Sequence, residues 1–262
     1  MKKFDMDEQT SNKELLGMTH YVDLPTGGKF YPEDHPWHGH SSVEIKMLTT
    51  REEEILTNQS YIEKSVVVDK LLESILIPSV PSDLIFDQDK MAILIAARVE
   101  AYGPDYEVEL QCSSCETKLE AVVDLNPIVE SRIIPEYEIT DKGTVIFEAP
   151  KSKKVIEFRH LLPRELDSIQ KTVERMSTVG IKTTDTLEIY KRVIASVDGN
   201  DKPEAIASFV ENLRILDSRK LLSVYGSSLP SLDLSFNYEC GSCAHQGKGG
   251  LPIQANFFFP EL

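Results

Sequence analysis

Apolar side chains recur with helical spacing in two regions of the chain, residues 49–102 and 163–229. In the first region, "IEKSVVVDKLLESILI" (62–77) repeats them at i, i+4 and i+8, which predicts a wide apolar stripe. "DQDKMAILIAARVEAYGP" (87–104) is apolar nearly all round in its middle and predicts a central helix. The second region predicts two or three helical hairpins. One helix there is expected to carry the apolar stripe Leu187, Tyr190, Ile194 and Val197.

Residues typical of helix ends support these assignments. Polar N-cap side chains accept hydrogen bonds from free N–H groups, and proline suits the first helical turn. Gly103 followed by Pro104 is typical of a helix end. We expect helices to start at or beside Thr49 or Thr50, Asp87, Pro163, Pro203 and Asp217.

The remaining segments alternate apolar and polar residues, which predicts β-strands. "SVEIKML" (42–48) predicts a single strand, whereas residues 106–125 and 133–150 each predict a hairpin. Residues 234–262 predict a strand, a cysteine pair, a glycine-rich turn and a second strand. The sequence therefore indicates an α+β fold of helical hairpins and short antiparallel β-hairpins.

The last residues of the chain include three consecutive phenylalanines. In a strand, Phe257 and Phe259 would face one side and Phe258 the other. We expect internal packing for them in preference to an interface with a partner.

Residues 1–41 are predicted to form an extended N-terminal arm. Residues 21–40 are rich in proline, glycine and aromatic residues, which favours an extended, turn-rich chain that packs on its own domain or on a partner. The histidines of "HPWHGH", His35, His38 and His40, could bind a metal. They lack a supporting helix or hairpin, so a surface loop is favoured.

Composition narrows the function classes. The net charge is −15, which argues against nucleic-acid binding because that affinity depends on Lys and Arg. No apolar run approaches the roughly 20 residues of a membrane span. The N-terminal residues start with Lys2 and Lys3 after the methionine but contain no apolar h-region, so we expect no secretory signal and synthesis in the cytoplasm.

All four cysteines belong to two C-x-x-C pairs, Cys112 with Cys115 and Cys240 with Cys243. Each pair lies at the tip of a predicted short hairpin, the arrangement of a zinc knuckle. Two facing knuckles supply four thiolates in a tetrahedron, which predicts one structural zinc per chain and a zinc-ribbon-like site. The alternatives are reduced thiols without a metal and a redox pair, although neither pair is followed by the helix that a thioredoxin-like site needs. His245 could replace one thiolate ligand.

The distance between the pairs constrains this hypothesis. Cys115 and Cys240 are 125 positions apart, so a shared site requires that the two ends of residues 116–239 meet. The entropy of closing a loop grows only slowly with its length, so such an insertion is tolerable. The predicted divisions are an arm (1–41), a strand plus helices (42–104), hairpins with the first knuckle (105–150), helices (151–229) and a hairpin with the second knuckle (230–262).

Catalytic motifs are not recognisable in the chain. We find no Ser-His-Asp order, nucleophile elbow or dinucleotide fingerprint, and four sulfur ligands would leave no open position on a metal. The acidic run "REEE" (51–54) is explained by the first turn of a helix, where the helix dipole favours carboxylates. We therefore expect a non-enzymatic protein without a small-molecule substrate.

Several longer stretches resemble the T4-like bacteriophage baseplate protein family, the hub or hub-assembly proteins of contractile-tailed phages. The resemblance extends in order from about residue 20 to the C-terminus. The most specific parts are "TTREEEIL", the two cysteine pairs and the terminal "FFFP". The stretches that carry it are "LPTGGKFYP" (24–32), "VEIKMLTTREEEILTNQSYIEKSVVVDKLLESIL" (43–76), "AYGPDYEVELQCSSC" (101–115), "FVENLRILDSRKLL" (209–222), "ECGSC" and "LPIQANFFFPEL".

The resemblance implies a structural or assembly protein of the tail baseplate in the virion. It would act through contacts with other tail proteins, such as hub, spike or wedge subunits, and without nucleic acid or membrane. Three alternatives remain at this point: a hub-assembly chaperone that leaves before the virion is complete, a zinc-ribbon regulator that binds nucleic acid, and a metalloenzyme.

Overall fold

The computed structural model describes residues 19–178, 184–253 and 255–258. It combines helices with antiparallel sheets, as expected of an α+β protein. The α-helices are α1 (Thr50–Thr57), α2 (Gln59–Glu63), α3 (Val67–Ile75), α4 (Asp87–Tyr102), α5 (Asn126–Glu130), α6 (Pro163–Thr178), α7 (Asp185–Val193), α8 (Pro203–Glu211) and α9 (Ile215–Ser227). Short 3₁₀ helices span Ser82–Leu84 and Ala255–Phe258.

The strands form four antiparallel sheets within the described residues. The first joins β1 (Thr19–Asp23), β2 (Ser42–Lys46) and β3 (Leu76–Ile77) in that order. Another contains β6 (Glu138–Ile139), β7 (Val145–Glu148), β8 (Val155–Phe158) and β9 (Ile194–Val197), also in that order. Two separate hairpins pair β4 (Asp105–Gln111) with β5 (Lys118–Asp124) and β10 (Ser235–Glu239) with β11 (Gln246–Gly250).

Helix α4 lies at the centre of the main hydrophobic core, as its uniformly apolar middle predicts. Ile93 and Ile95 are completely buried, and so is its last positively charged residue, Arg98. The guanidinium of Arg98 donates to the carbonyl oxygens of Gly103, Asp105 and Phe257, at 2.9, 3.2 and 2.7 Å respectively. This buried arginine therefore joins the end of α4 to the first cysteine hairpin and to the C-terminal segment.

Several predicted helix ends are confirmed. Thr49 caps α1 in a reciprocal capping box with Glu52. Pro163 and Pro203 occupy the first positions of α6 and α8. Gly103 ends α4 with a φ of 84°, a conformation that glycine adopts at little cost.

The two aspartates expected to cap helices do not cap them. Helix α4 starts at Asp87, as expected, but no side chain caps it. Asp217 lies inside the first turn of α9, where its carboxylate accepts the N–H groups of Lys151 and Ser152 at 2.7 and 3.0 Å. The local sequence shows a good capping residue but not the distant loop that captures it.

The apolar stripe that predicted one helix from Leu187 to Val197 is divided between two elements. Helix α7 ends at Val193, and Ile194–Val197 forms strand β9 beside β8. Ile194 and Val197 are buried in the strand, and an apolar stripe on a helix also predicts burial, so apolar spacing alone does not distinguish the two elements.

The predicted C-terminal strand is also wrong. Ala255–Phe258 forms a 3₁₀ turn, and Phe257 and Phe258 are both buried, so the expected internal packing is confirmed for these two residues. Phe259 lies outside the described residues. The glycine-rich residues 247–250, expected to form a turn, belong to strand β11 itself.

The segment after residue 18 packs on the protein's own core. Residues 19–23 form β1, and the following turns bury Leu24, Phe30, Tyr31 and Trp37. The buried carboxylate of Asp89 holds this segment, since it accepts hydrogen bonds from Thr26 Oγ1 at 2.6 Å and Tyr31 Oη at 2.7 Å. Residues 1–18 of the predicted arm lie outside the described residues, and the five-part division of the chain stays a prediction.

Gly143, in the turn between β6 and β7, lies against the main chain of Lys29. Its φ is 70°, and a Cβ at this position would collide with the Lys29 carbonyl oxygen. Gly199 has a similar φ of 77° but open space around it. Substitutions at the two glycines can therefore be compared to distinguish the cost of backbone strain from the cost of steric collision.

We expect Gly143→Ala to lower the free energy of unfolding by at least about 3 kcal/mol, because strain and collision combine. Gly199→Ala should cost only the strain of the left-handed conformation, roughly 1–2 kcal/mol. Urea unfolding of both variants tests this. Equal losses would show that the β6–β7 turn does not contact Lys29.

Glu52 joins three elements of the N-terminal half. Its buried carboxylate accepts hydrogen bonds from Lys46 Nζ at 2.8 Å, Ser74 Oγ at 2.6 Å and Thr49 Oγ1 at 2.6 Å. Burial acts to raise the pKa of Glu52, but these donors outweigh it and lower the pKa to about 2. Its ordinary value is 4.5.

A carboxyl group whose pKa is lowered by folding stabilises the folded chain at pH values above its pKa in the unfolded chain. This stabilisation is lost as the pH falls through its pKa in the folded chain. We expect Glu52→Gln to lower the free energy of unfolding by up to about 3 kcal/mol at neutral pH. The difference from wild type should shrink as the pH falls from 4.5 towards 2. Urea unfolding across this range measures it, with the exposed Glu53→Gln as control. A difference that does not change with pH would contradict the assignment.

Candidate metal centre

The first cysteine pair occupies the turn between β4 and β5. The N–H of Cys112 donates to the carbonyl oxygen of Thr117, and the N–H of Glu116 donates to that of Cys112, both at 2.9 Å. Glu116 has a φ of 58°, in the left-handed region that non-glycine residues seldom adopt. The turn therefore folds the main chain of Glu116 and Thr117 back onto that of Cys112.

The second pair repeats this turn. The N–H of Cys240 donates to the carbonyl oxygen of His245 at 2.9 Å. The N–H of Ala244 donates to the carbonyl oxygen of Cys240 at 2.8 Å. Ala244 has a φ of 53°, at the position equivalent to that of Glu116. The two cysteine turns therefore share spacing, hydrogen bonds and backbone conformation.

The two turns face each other and bring the four sulfur atoms together. All four Sγ atoms lie within 4.8 Å of one another. Cys112 Sγ is 3.8 Å from that of Cys243, and Cys115 Sγ is 3.6 Å from that of Cys240. These distances exceed the roughly 2.05 Å of a disulfide bond, and the four cysteines are free thiols.

The spacing fits a tetrahedral ion. Metal–sulfur bonds of about 2.3 Å in a tetrahedron place the sulfurs about 3.8 Å apart. Cys112 and Cys240 are buried, whereas Cys115 and Cys243 are exposed. The four side chains could therefore hold one thiophilic metal ion at the edge of the protein.

Hydrogen bonds favour the thiolate form of two of the four cysteines. The hydroxyl and the N–H of Thr117 lower the pKa of Cys115 to about 6. The N–H groups of Ser242 and Cys243 lower the pKa of Cys240. A thiolate is the form of cysteine that binds metal, so these hydrogen bonds favour the metal-binding form of Cys115 and Cys240.

Crowding has the opposite effect on the fourth cysteine. The N–H of His245 acts to lower the pKa of Cys243, but the neighbouring sulfurs, Cys115 above all, raise it to about 12. Several negative sulfurs at this separation repel one another, and a cation among them removes that cost.

Contacts beside the cysteines hold the two hairpins together. The hydroxyl oxygen of Tyr238 accepts the N–H of Ser113 at 3.1 Å. Tyr238 also packs with the buried Cys112 and Cys240 in a small apolar cluster that includes Leu110, Leu119 and Phe236. The alignment of the hairpins thus has support besides the sulfur atoms.

Main-chain pairing brings the ends of the long insertion together. The N–H of Ile133 donates to the carbonyl oxygen of Ser231 at 2.8 Å, and the reverse bond measures 3.2 Å. The N–H of Asp233 donates to Ser131 Oγ at 2.8 Å. The chain that leaves the first hairpin therefore lies beside the chain that enters the second.

The other candidate ligands do not join this cluster. His245 Nε2 lies 3.2 Å from Ser113 Oγ and is not one of the four grouped donors. The predicted surface loop holds for His40, which is exposed, whereas His38 is half-buried and His35 is buried and stacks on Tyr31 with ring centroids 4.2 Å apart. Across residues 19–178, 184–253 and 255–258, the four cysteines form the one group of three or more potential metal ligands.

Comparison with known families assigns the chain. Residues 18–259 match the family described as T4 bacteriophage base plate protein. The chain belongs to this family. No curated protein and no solved structure matches it.

Membership of this baseplate family indicates a structural, non-enzymatic protein of the phage tail that contacts other tail proteins. The match covers both cysteine turns, so the candidate metal centre lies within the family region. No helix in the described part of this baseplate protein is long and apolar enough to cross a membrane.

Sequence reasoning missed the local conformation of both turns. Glycine or asparagine usually marks a left-handed position, but Glu116 and Ala244 carry no such signal. The contact between Tyr238 and Ser113 was also not predictable, since the residues are 125 positions apart. What the sequence does show is the repeated order of strand, cysteine pair and strand.

Proposed function

We propose that the protein is a structural and assembly component of the baseplate hub region, with one structural Zn²⁺ bound by Cys112, Cys115, Cys240 and Cys243. It acts through contacts with neighbouring hub, spike or wedge subunits in the virion. The single observation that carries the proposal is the family match over residues 18–259.

Zinc is the metal that best suits the four sulfur donors. A tetrahedral set of four thiolates favours zinc or an iron–sulfur centre. Two C-x-x-C turns in facing hairpins are typical of structural zinc, and separations of 3.6 and 3.8 Å suit a single ion. Four thiolates complete the coordination, so the ion would have no position for a substrate or a reactive water.

The zinc would act as a cross-link between distant parts of the chain. It would join Cys112 and Cys115, at the tip of the hairpin that follows α4, to Cys240 and Cys243, in the turn between β10 and β11. Because the main-chain pairing of Ile133 and Ser231 already holds the chain nearby, the ion fixes an arrangement that the fold brings together. A rigid pair of hairpins suits a subunit that must present a fixed surface to its neighbours.

The nucleic-acid alternative is disfavoured by the charge of the same region. The outward face of the β4–β5 hairpin consists largely of exposed acidic side chains, and like charges lie directly opposite at two positions of the ladder. Phosphate would be repelled there. The acidic residues of this face are Asp105, Glu107, Glu109, Glu120 and Asp124.

We expect one zinc per wild-type chain and none in the Cys112→Ser/Cys115→Ser variant, measured by elemental mass spectrometry on protein purified without chelator. Ser114→Ala, in the same turn, should keep its zinc. Loss of the ion should lower the thermal midpoint by about 10 °C, the effect of losing roughly 3 kcal/mol in a chain of this size. Iron in place of zinc, or full metal content in Cys240→Ser, would overturn the shared zinc site.

The dissociable chaperone is the second candidate, since both roles need the same family and the same contacts. Quantitative mass spectrometry of purified virions separates them. We expect peptides of this protein in a fixed ratio to those of other baseplate proteins in every preparation. Their presence in infected cells but absence from virions would show that the protein leaves after assembly.

A further inference from the structure

A groove of about 360 Å³ follows the outer side of strand β1. The sheet order leaves β1 at an edge, and no strand among the described residues pairs with that side. Helix α4 supplies an apolar floor through Ala92, Ala96 and Val99, and the opposite wall comes from α5 and the residues after it. The groove thus lies between an unpaired strand edge and a helical wall.

The register of β1 decides which main-chain groups face the groove. The N–H of Leu24, directly after β1, donates to the carbonyl oxygen of Ser41 at 2.8 Å. Hydrogen-bonded pairs alternate along an antiparallel ladder, so odd-numbered residues of β1 direct their N–H and C=O groups away from β2. These residues are Thr19, Tyr21 and Asp23.

Side chains in the groove support this orientation. Arg132, which lines the groove, donates from Nη2 to the carbonyl oxygen of Asp23 at 3.3 Å. His20 Nδ1 is buried and has no hydrogen-bond partner among the described residues. Tyr21 stands at the rim with 69% of its surface exposed. The groove therefore holds polar atoms that a further strand could satisfy.

The rim of the groove is acidic. Asp23, Glu100 and Glu130 line it and are exposed. The guanidinium of Arg132, the one arginine in the lining, donates to main-chain carbonyl oxygens, including that of Val129 at 2.7 Å. An occupant with lysine or arginine side chains complements this charge. A second copy of the chain does not, since each copy has a net charge of −15 and the same acidic rim.

We propose that this groove binds an extended, basic segment of another baseplate protein, which adds to the sheet as a strand beside β1. In this mode main-chain hydrogen bonds supply affinity, and the alternate side chains select the partner. The inference rests on the proposed baseplate function, because it names the kind of neighbour that the protein holds. It is independent of the zinc site.

Tyr21→Pro removes one N–H from the free edge, a change that edge strands tolerate. Tyr21→Ala removes the side chain and keeps that N–H, so it is the matched control. The probes are overlapping 15-residue peptides that tile the other baseplate proteins of the same phage, applied to the immobilised full-length chain. Circular dichroism is used to check that both variants fold.

We expect the bound peptides to carry net positive charge and to bind less tightly as the salt concentration rises. Tyr21→Pro should weaken the best peptide at least about tenfold, and Tyr21→Ala less than about threefold. Glu100→Lys combined with Glu130→Lys should also weaken it at least about tenfold, and this variant still tests the groove if Tyr21→Pro does not fold.

Several results would overturn the proposal. The first is that no peptide binds at about 100 µM. The others are binding that Tyr21→Pro leaves unchanged and a preference for acidic peptides. Peptide binding that appears only after removal of residues 1–18 would assign the groove to the chain's own N-terminus. A dimer in light scattering that Tyr21→Pro dissociates would assign it to a second copy.

The baseplate function can survive failure of the groove. If Tyr21→Pro enters virions in the wild-type ratio and none of the peptides binds, the groove proposal fails and the baseplate function stands. If wild-type protein is absent from virions and from assembly intermediates, the proposed function itself fails.

Discussion

The arrangement of the two cysteine turns depends on one constraint: parts of the chain 125 positions apart must meet within a few ångströms. Main-chain hydrogen bonds between Ile133 and Ser231 bring these two parts of the chain together, and the contact of Tyr238 with Ser113 aligns the hairpin tips. Two of the sulfur–sulfur separations, 3.6 and 3.8 Å, then match those around a tetrahedral ion, and all four sulfurs lie within 4.8 Å of one another. A metal bound here would consolidate a closure that the polypeptide has largely made, because the entropy of a long loop is lost once its ends are paired.

The buried polar groups follow the same principle of joining distant segments. Arg98 binds three carbonyl oxygens, one of them in the C-terminal turn that holds Phe257. Asp89 binds the loop after β1, and Asp217 binds the loop at Lys151. Each of these buried side chains satisfies main-chain or hydroxyl groups of a segment without regular structure, which fixes loops that apolar packing alone would leave free to shift.

Local patterns in the sequence predict the mixed α+β class, the central position of α4, the hairpin around each cysteine pair and several helix ends. They fail where a distant partner decides the outcome. Asp217 has the composition of a cap but binds Lys151, and Ile194 fits a helical stripe but pairs with Phe158 in a sheet. The sequence identifies the four cysteines as candidate ligands, because they form two C-x-x-C pairs and the chain has no other cysteine. It could not show their proximity, which depends on contacts across the whole insertion.

The central claim is that both cysteine pairs bind one zinc ion, and zinc K-edge X-ray absorption on the purified full-length chain tests it most directly. We expect a single shell of four sulfur atoms at about 2.3 Å from the zinc. Two sulfurs with nitrogen or oxygen ligands would show that the pairs do not share an ion, and absence of bound zinc would contradict the metal centre altogether.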